Sequence, residues 1–462
     1  MSFPRYPAYK DSGVEWLGEV PGHWILAPLK YLAELNPRKS GFSGDTALLC
    51  SFVPMEKLKT GLLMLDEERP VAQVFDGYTY FEDGDILQAK VTPCFENKNV
   101  ALANGLTNGV GFGSSEINVF RPAENVDAEY LYYRVQESAY MSFCTSSMAG
   151  AGGLKRVPTD VINSFTVAMP TLAEQIQIAR FLNHETSKID VLIQEQERLI
   201  ELLKEKRQAV ISHAVTIGLD PNAPMKDSGV EWLGEVPEHW QVVRIKNVAK
   251  LESGHTPSKD FPKYWDDGAI PWVSLNDTKQ LKKVDYISDT QYKITQLGLE
   301  NSSARLLPAR SVVFTRDATI GLAAITTRDM AVSQHLIAWV CNDDIILPEF
   351  LLLVFYAMEY ELNRFTFGAT IKTIGMADVK CLQTTLPLVC EQRLIVEKVA
   401  KVRSKLDALV ESAERASRFL VERRSALITA AVTGKIDVRG WHPPISRSHD
   451  SHQEDKSCLE RI

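Results

Sequence analysis

The residues best suited to chemistry in this 462-residue chain sit in short polar runs that follow apolar stretches. One run is Lys90-Val91-Thr92-Pro93-Cys94-Phe95-Glu96-Asn97-Lys98-Asn99, where Lys90, Thr92, Asn97, Lys98 and Asn99 supply cations, a hydroxyl and amides. Side chains of these types bond to base edges in a DNA groove or hold phosphate oxygens. Ser114 and Ser115 form a second group, and Gly150-Ala151-Gly152-Gly153-Leu154-Lys155-Arg156 a third. Backbone N–H groups of such a glycine-rich loop, with Lys155 and Arg156 beside them, can cradle a phosphate. A DNA-backbone contact and a flexible turn before a strand are its two main readings. Further along come His255, Thr256, Ser258 and Lys259, then Asn276, Thr278 and Lys279. Arg316 with Thr319, Ser333 with Gln334, and Lys372 with Thr373 complete the set. Each run taken alone also fits a solvated turn.

Catalytic patterns are missing from the sequence. There is no G-x-x-x-x-G-K-[ST], no H-E-x-x-H, no G-x-S-x-G and no [ND]-P-P-aromatic tetrapeptide of an amino-methyltransferase. Seven cysteines are scattered without a C-x-x-C pair, which indicates neither a zinc ribbon nor a disulfide framework. His255 and His335 lack a second ligand at suitable spacing. The expectation is a chain with no catalytic residues, no metal and no cofactor of its own.

The polar runs need a frame, and the frame is repeated. Leu172 to about Val215 contains neither glycine nor proline, and Ile189, Leu192, Leu199, Leu203 and Val210 recur in it at coiled-coil spacings. Thr171 and Glu174 read as a capping box, and Gly218 and Pro221 as the stop. A helix of that length would run roughly 65 Å. Residues 391–433 align with it at an offset of 217, so that Leu406, Leu409, Leu420 and Leu427 stand for Ile189, Leu192, Leu203 and Val210. A narrow apolar seam needs a partner, and the second copy supplies one as an internal antiparallel coiled coil. Lys10–Trp24 (KDSGVEWLGEVPGHW) also returns as Lys226–Trp240 (KDSGVEWLGEVPEHW), with one difference. Its tryptophans read as a structural clasp, or alternatively as a contact for a partner subunit.

Between these repeats lie two less similar stretches with the same order of elements. Asp85–Lys90 pairs with Ser311–Arg316, Ser114–Phe120 with Ser333–Trp339, and a helix at Asp127–Phe143 with one at Pro348–Phe365. The closing loops Gly152–Arg156 and Ala369–Thr373 correspond as well, placing Lys155 over Lys372. The fold class is therefore mixed α/β (α+β). Two domains with small β-sheet cores, 1–170 and 226–386, are joined and separated by spacer helices at 171–217 and 387–436, with an approximate two-fold relation. A linker occupies 218–225, and 437–462 reads as a disordered tail.

The charge balance, 51 Lys and Arg against 59 Asp and Glu, gives a formal net charge of −8. A nucleic-acid binder usually carries a basic surface, so DNA contact here must come from local clusters or be shared with a basic partner. No basic start followed by an apolar run opens the chain, and no segment approaches the ~20 residues of a membrane span. A cytoplasmic, thiol-reduced protein is the expectation.

Two similar halves, each a variable domain followed by a helix opening P-x-x-x-E-Q, resemble the specificity (S) subunit of type I restriction–modification enzymes. The duplicated K-D-S-G-V-E-W-L-G-E-V-P-x-H-W, Gly254–Phe261 (GHTPSKDF), Ile270–Val273 (IPWV) and Gly84–Leu87 (GDIL) carry the resemblance. It implies a non-catalytic subunit in which each target-recognition domain reads half of a bipartite DNA site. It also implies two methyltransferase (M) subunits on the paired helices, with S-adenosylmethionine, and restriction/translocase (R) subunits using ATP and Mg²⁺. One departure is Leu388, which stands where the first helix has Thr171. The rival readings are a coiled-coil adaptor that binds no nucleic acid, and a solitary methyltransferase with fused specificity.

Overall fold

The computed structural model describes residues 3–42, 44–151, 153–367 and 372–444. The chain divides into two compact units. The first runs to Gln196 and resumes at Ala416; the second is Glu197–Arg415. The long helices are Leu172–Thr216 and Val389–Val432, so each unit holds a segment of both.

The first unit is built on two four-stranded sheets. In one, Val100–Leu102, Ile86–Ala89, Ile117–Pro122 and Ala33–Leu35 lie side by side, all antiparallel. In the other, Glu68–Pro70, Leu49–Val53, Val110–Gly113 and Thr79–Glu82 are neighbours, and Val110–Gly113 runs parallel to Leu49–Val53. All four residues of Ile86–Ala89 are buried, as expected of a strand covered on both faces. The helix expected over Asp127–Phe143 is two helices, Ala128–Arg134 and Ser138–Ser146. Asp127 caps the first through the Tyr130 N–H, and the chain leaves helical geometry at Val135.

The second unit repeats the plan. Its five-stranded sheet has the order Ala249–Ser253, Leu336–Cys341, Ser311–Thr315, Ala323–Thr326, Tyr286–Ile287. A three-stranded sheet sets Ile270–Val273 parallel to Ala331–Val332. The helix pair is Pro348–Ala357 and Glu359–Arg364. Phe314, Trp339, Phe350, Leu351 and Phe355 pack with Ile211, Val215, Ile395 and Val399, so the sheet domain and both helix segments share one core.

Within each unit the helix segments run antiparallel, but their contact does not follow the expected seam. Leu192, Leu199 and Leu409 are exposed at 49, 42 and 54%. Val210, Leu420 and Leu427 are half-buried, and only Ile189, Leu203 and Leu406 are buried. Burial goes instead to Ile178, Phe181, Leu182, Ile428 and Val432 in the first unit, which face a sheet domain as well as the other helix. A heptad count assumes that a helix has one neighbour; these helices have two.

The duplicated clasp has a defined job. Trp24 is fully buried, and its indole N–H donates to Glu174 at 3.2 Å, while His23 Nε2 meets the other carboxylate oxygen at 2.9 Å. Trp240 and His239 contact Glu391 in the same way except that both meet one oxygen, Oε2, at 3.0 and 3.1 Å. Glu174, expected in a capping box, thus spends both oxygens on the clasp. Each tryptophan also covers the end of the other long helix. A Cβ on Gly434 would fall 3.1 Å from the Trp24 ring and 2.5 Å from Pro21, and one on Gly218 would fall 3.0 Å from Trp240. Both glycines have positive φ (74° and 86°), where a side chain is strained in any case. The clasp therefore ties the start of one long helix to the end of the other. The glutamine after each glutamate ties in the neighbouring domain. Gln175 accepts from the Asp127 N–H, and Gln392 accepts from the Leu347 N–H.

The expected disordered tail is corrected in its first part. The Asp437 N–H donates to the Pro4 carbonyl, Gln177 donates to the Val438 and Trp441 carbonyls, and Trp441 packs edge-on against Phe181. Residues 445–462 lie outside the described residues. No helix among the described residues is long and apolar enough to cross a membrane.

Candidate nucleic-acid interface

In each unit the polar runs meet at one end of the central antiparallel strand pair. In the first unit Ile86–Ala89 pairs with Ile117–Pro122, and the loops beyond Ala89 and before Ile117 lie together. The Lys90 N–H donates to the Glu116 carbonyl, the Val157 N–H to the Lys90 carbonyl, and the Thr92 N–H to the Lys155 carbonyl. The Thr92 hydroxyl accepts from the Lys155 N–H at 3.0 Å. Lys155 and Arg156 sit on a hairpin of Ala149–Ala151 and Leu154–Arg156, exposed along both strands. The glycine-rich loop is thus the tip of a hairpin; Gly152 itself lies outside the described residues.

The second unit builds the same junction from different side chains. The Arg316 N–H donates to the His335 carbonyl, the Ile374 N–H to the Arg316 carbonyl, and the Ala318 N–H to the Lys372 carbonyl. Lys372 precedes, and Thr373 opens, the strand Thr373–Ile374, which pairs antiparallel with Thr366–Phe367. Ser114 and Ser333 are matched in detail. Each gives its N–H to the last residue of the neighbouring parallel strand (Val53, Val273) and accepts from the residue three positions on. Of the loop correspondence Gly152–Arg156 to Ala369–Thr373, residues 369–371 lie outside the described residues.

The electrostatics differ between the junctions. Arg156 forms a two-point pair with Glu116, Nε to Oε2 at 2.9 Å and Nη2 to Oε1 at 2.6 Å. This contact holds the Glu116 carboxyl below its ordinary range. At the other junction Asp317 is buried between Arg316 and His335, with His335 Nδ1 2.7 Å from Asp317 Oδ2. His335 in turn lies 3.3 Å from the Gln334 amide nitrogen, and Thr256 bonds the Gln334 amide oxygen.

Some of the remaining candidates join these junctions, and others do not. The His255 N–H donates to the Val332 carbonyl and its own carbonyl accepts from Trp272, which places His255 and Thr256 beside Ser333. Ser258 and Lys259 follow, exposed. Ser115 is exposed and Ser333 buried, while the Thr319 carbonyl accepts from the Thr315 hydroxyl. Asn276 and Lys279 are exposed on a turn closed by a capping box between Ser274 and Asp277, and the Thr278 hydroxyl donates to the Leu275 carbonyl. Asn97 is exposed, but Asn99 is buried and Lys98 reaches the second long helix, donating to Ser425 at 3.0 Å. Burial, and then nearby Arg424, lower the Lys98 pKa. Lys98 and Asn99 are therefore withdrawn as DNA contacts.

Sequence reasoning passed over Glu116, Asp317 and His335 as site residues. The signal available was that Glu116 and His335 occupy matching places next to Ser115 and Gln334. Among the described residues, no group of three or more His, Cys, Asp or Glu side chains is gathered to hold a metal.

Comparison with known proteins adds likenesses of sequence and of fold. The family described as "Type I restriction modification DNA specificity domain" matches residues 237–414. The chain is 34% identical over 163 residues to the type I restriction enzyme EcoEI specificity subunit of Escherichia coli, covering 35% of this chain and 27% of that protein. It is 35% identical over 187 residues to the EcoAI specificity subunit of the same organism, covering 40% and 31%. These matches span under a third of either relative's length. A solved chain from a type I R-M system superposes with a TM-score of 0.70 over 89% of this chain and 98% of its own, at 17% identity, which is a likeness of fold.

Proposed function

We propose that this chain is a type I restriction–modification specificity subunit and reads a bipartite double-stranded DNA target, with one junction on each half. The observation that carries this reading is the repeated junction. One backbone arrangement presents Lys90, Glu116, Lys155 and Arg156 in the first unit and Arg316, Gln334, His335 and Lys372 in the second. A shared scaffold with different polar groups suits two readers of different short words. Two readers on one face of a duplex work about one helical turn apart, roughly 34–36 Å. Helices of 45 and 44 residues are long enough to hold such a spacing.

The remaining roles belong to partners. The exposed apolar side chains Leu192, Leu199, Leu202 and Leu409 on the long helices suit docking of two methyltransferase subunits. Those subunits would bind S-adenosylmethionine, and restriction/translocase subunits would use ATP and Mg²⁺, leaving this cytoplasmic chain non-catalytic. A net charge of −8 supports weak, salt-sensitive DNA binding by the isolated chain and a gain once methyltransferase subunits close around the duplex.

Selection from a random duplex pool, with and without methyltransferase subunits, tests the reading. Two short fixed words separated by an unread spacer are expected; a pool without enrichment would favour a DNA-independent adaptor. Deleting a matched heptad from both long helices removes about 10 Å, roughly three base pairs, and should shift the preferred spacer.

A further inference from the structure

The geometry points to Gln334 as the side chain that selects adenine in the half-site read by the second unit. This rests on the DNA-reading role proposed above. Gln334 is exposed on the turn before Leu336–Cys341, and its amide is held by the adjacent His335 and by Thr256 from another segment. Asp317, buried on the loop after Ser311–Thr315, faces His335 Nδ1 at 2.7 Å. The Asp317 carboxylate accepts from Nδ1–H, and in that tautomer Nε2 is left as an acceptor. That acceptor lies 3.3 Å from the Gln334 amide nitrogen and accepts from one of its two N–H groups. On the other side the amide oxygen accepts from Thr256, which follows strand Ala249–Ser253.

These contacts decide which way the amide faces. Nitrogen is turned to the histidine and oxygen to the threonine, because the reverse would set two acceptors together at His335 Nε2. One N–H and one oxygen lone pair remain. The major-groove edge of adenine offers an acceptor at N7 and a donor at N6, which matches an amide with both groups free. Guanine offers two acceptors there, so its O6 would oppose the amide oxygen. An amide already held at both ends also gives up less rotamer freedom on binding. In the first unit the corresponding residue is Ser115, whose hydroxyl cannot make this two-point pair.

The test uses the full chain assembled with methyltransferase subunits and a random duplex pool. If the wild-type complex selects no bipartite sequence, the DNA-reading role itself fails. If it does, Gln334→Ala should lose preference for adenine at a single position of one half-site, by roughly 5- to 150-fold, and keep the other half. Replacing that adenine by 7-deazaadenine, which lacks the N7 acceptor, should weaken the wild-type complex and leave Q334A unchanged. A Q334A complex that selects the wild-type sequence, or changes at a base other than adenine, overturns the inference. So does equal sensitivity of both complexes to 7-deazaadenine. The substitution is at an exposed side chain, and an unchanged melting temperature separates lost reading from lost folding.

Discussion

Arg424 donates through Nε to Asp190 at 2.8 Å, and the contact returns with the helices exchanged where Arg207 donates to Asp407 at 3.0 Å. Moving 17 residues forward along the first long helix (190 to 207) moves 17 back along the second (424 to 407). Each pair sets an antiparallel register inside its own unit. The 217-residue repeat places Asp190 over Asp407 and Arg207 over Arg424, so one pair of residue types, written twice, marks the register on both sides.

The two pairs should not be worth the same. Arg424 is 16% exposed, whereas Arg207 and Asp407 are 45 and 48% exposed. Double-mutant cycles read by urea unfolding should give a coupling of about 1 kcal/mol for Asp190–Arg424 and a few tenths for Arg207–Asp407. Equal couplings would mean that exposure does not control them.

A buried pair supports the end of the second helix. Arg134 and Glu137 are fully buried 2.7 Å apart, and Arg134 also donates to the Val432 carbonyl at 2.6 Å. Arg134→Met should cost about 3–5 kcal/mol, because it strands the Glu137 carboxylate and uncaps that carbonyl. Adding Glu137→Gln should return most of the loss, as measured by chemical denaturation.

The same glutamate gives a pH dependence. Burial raises the Glu137 pKa despite nearby Arg134 and Lys435. The folded state then holds that proton more tightly than the unfolded chain does. Its contribution is complete below the ordinary glutamate range and is lost as pH rises through the raised value. Subtracting the stability curve of E137Q from that of the wild type between pH 4 and 8 should leave a term that declines with pH. A flat difference would contradict it.

The clasps should be unequal in strength. Glu174 is 5% exposed and Glu391 26%. Glu174→Ala leaves the buried Trp24 N–H without a partner and should cost about 1–3 kcal/mol, more than Glu391→Ala does. Thermal unfolding of the two variants compares them directly.

At the first junction, Lys155 is an exposed cation on a hairpin. Lys155→Ala should weaken DNA binding by the assembled complex about evenly across sequences and lower the salt slope by about 1. Arg156, held edge-on by Glu116, should instead relax selection at one base when replaced by alanine. Binding titrations over a salt series separate the two behaviours.

The amino-acid sequence by itself determined the repeats: the two helices, the two clasps, and the alignment of Lys90 with Arg316 and of Ser114 with Ser333. Such features follow from spacing and duplication, which are properties of the order of residues. Tertiary structure alone decided which helix faces are buried. Leu192 and Leu409 obey the heptad yet stay exposed, because sheet domains compete with the opposite helix for each apolar stripe. It also decided that Glu174 serves Trp24, that Lys98 turns to Ser425, and that Asp317 reaches His335. Each of these contacts joins residues from 18 to 327 positions apart. A polar side chain's partner is set by where the backbone brings it, and spacing along the chain carries no record of that.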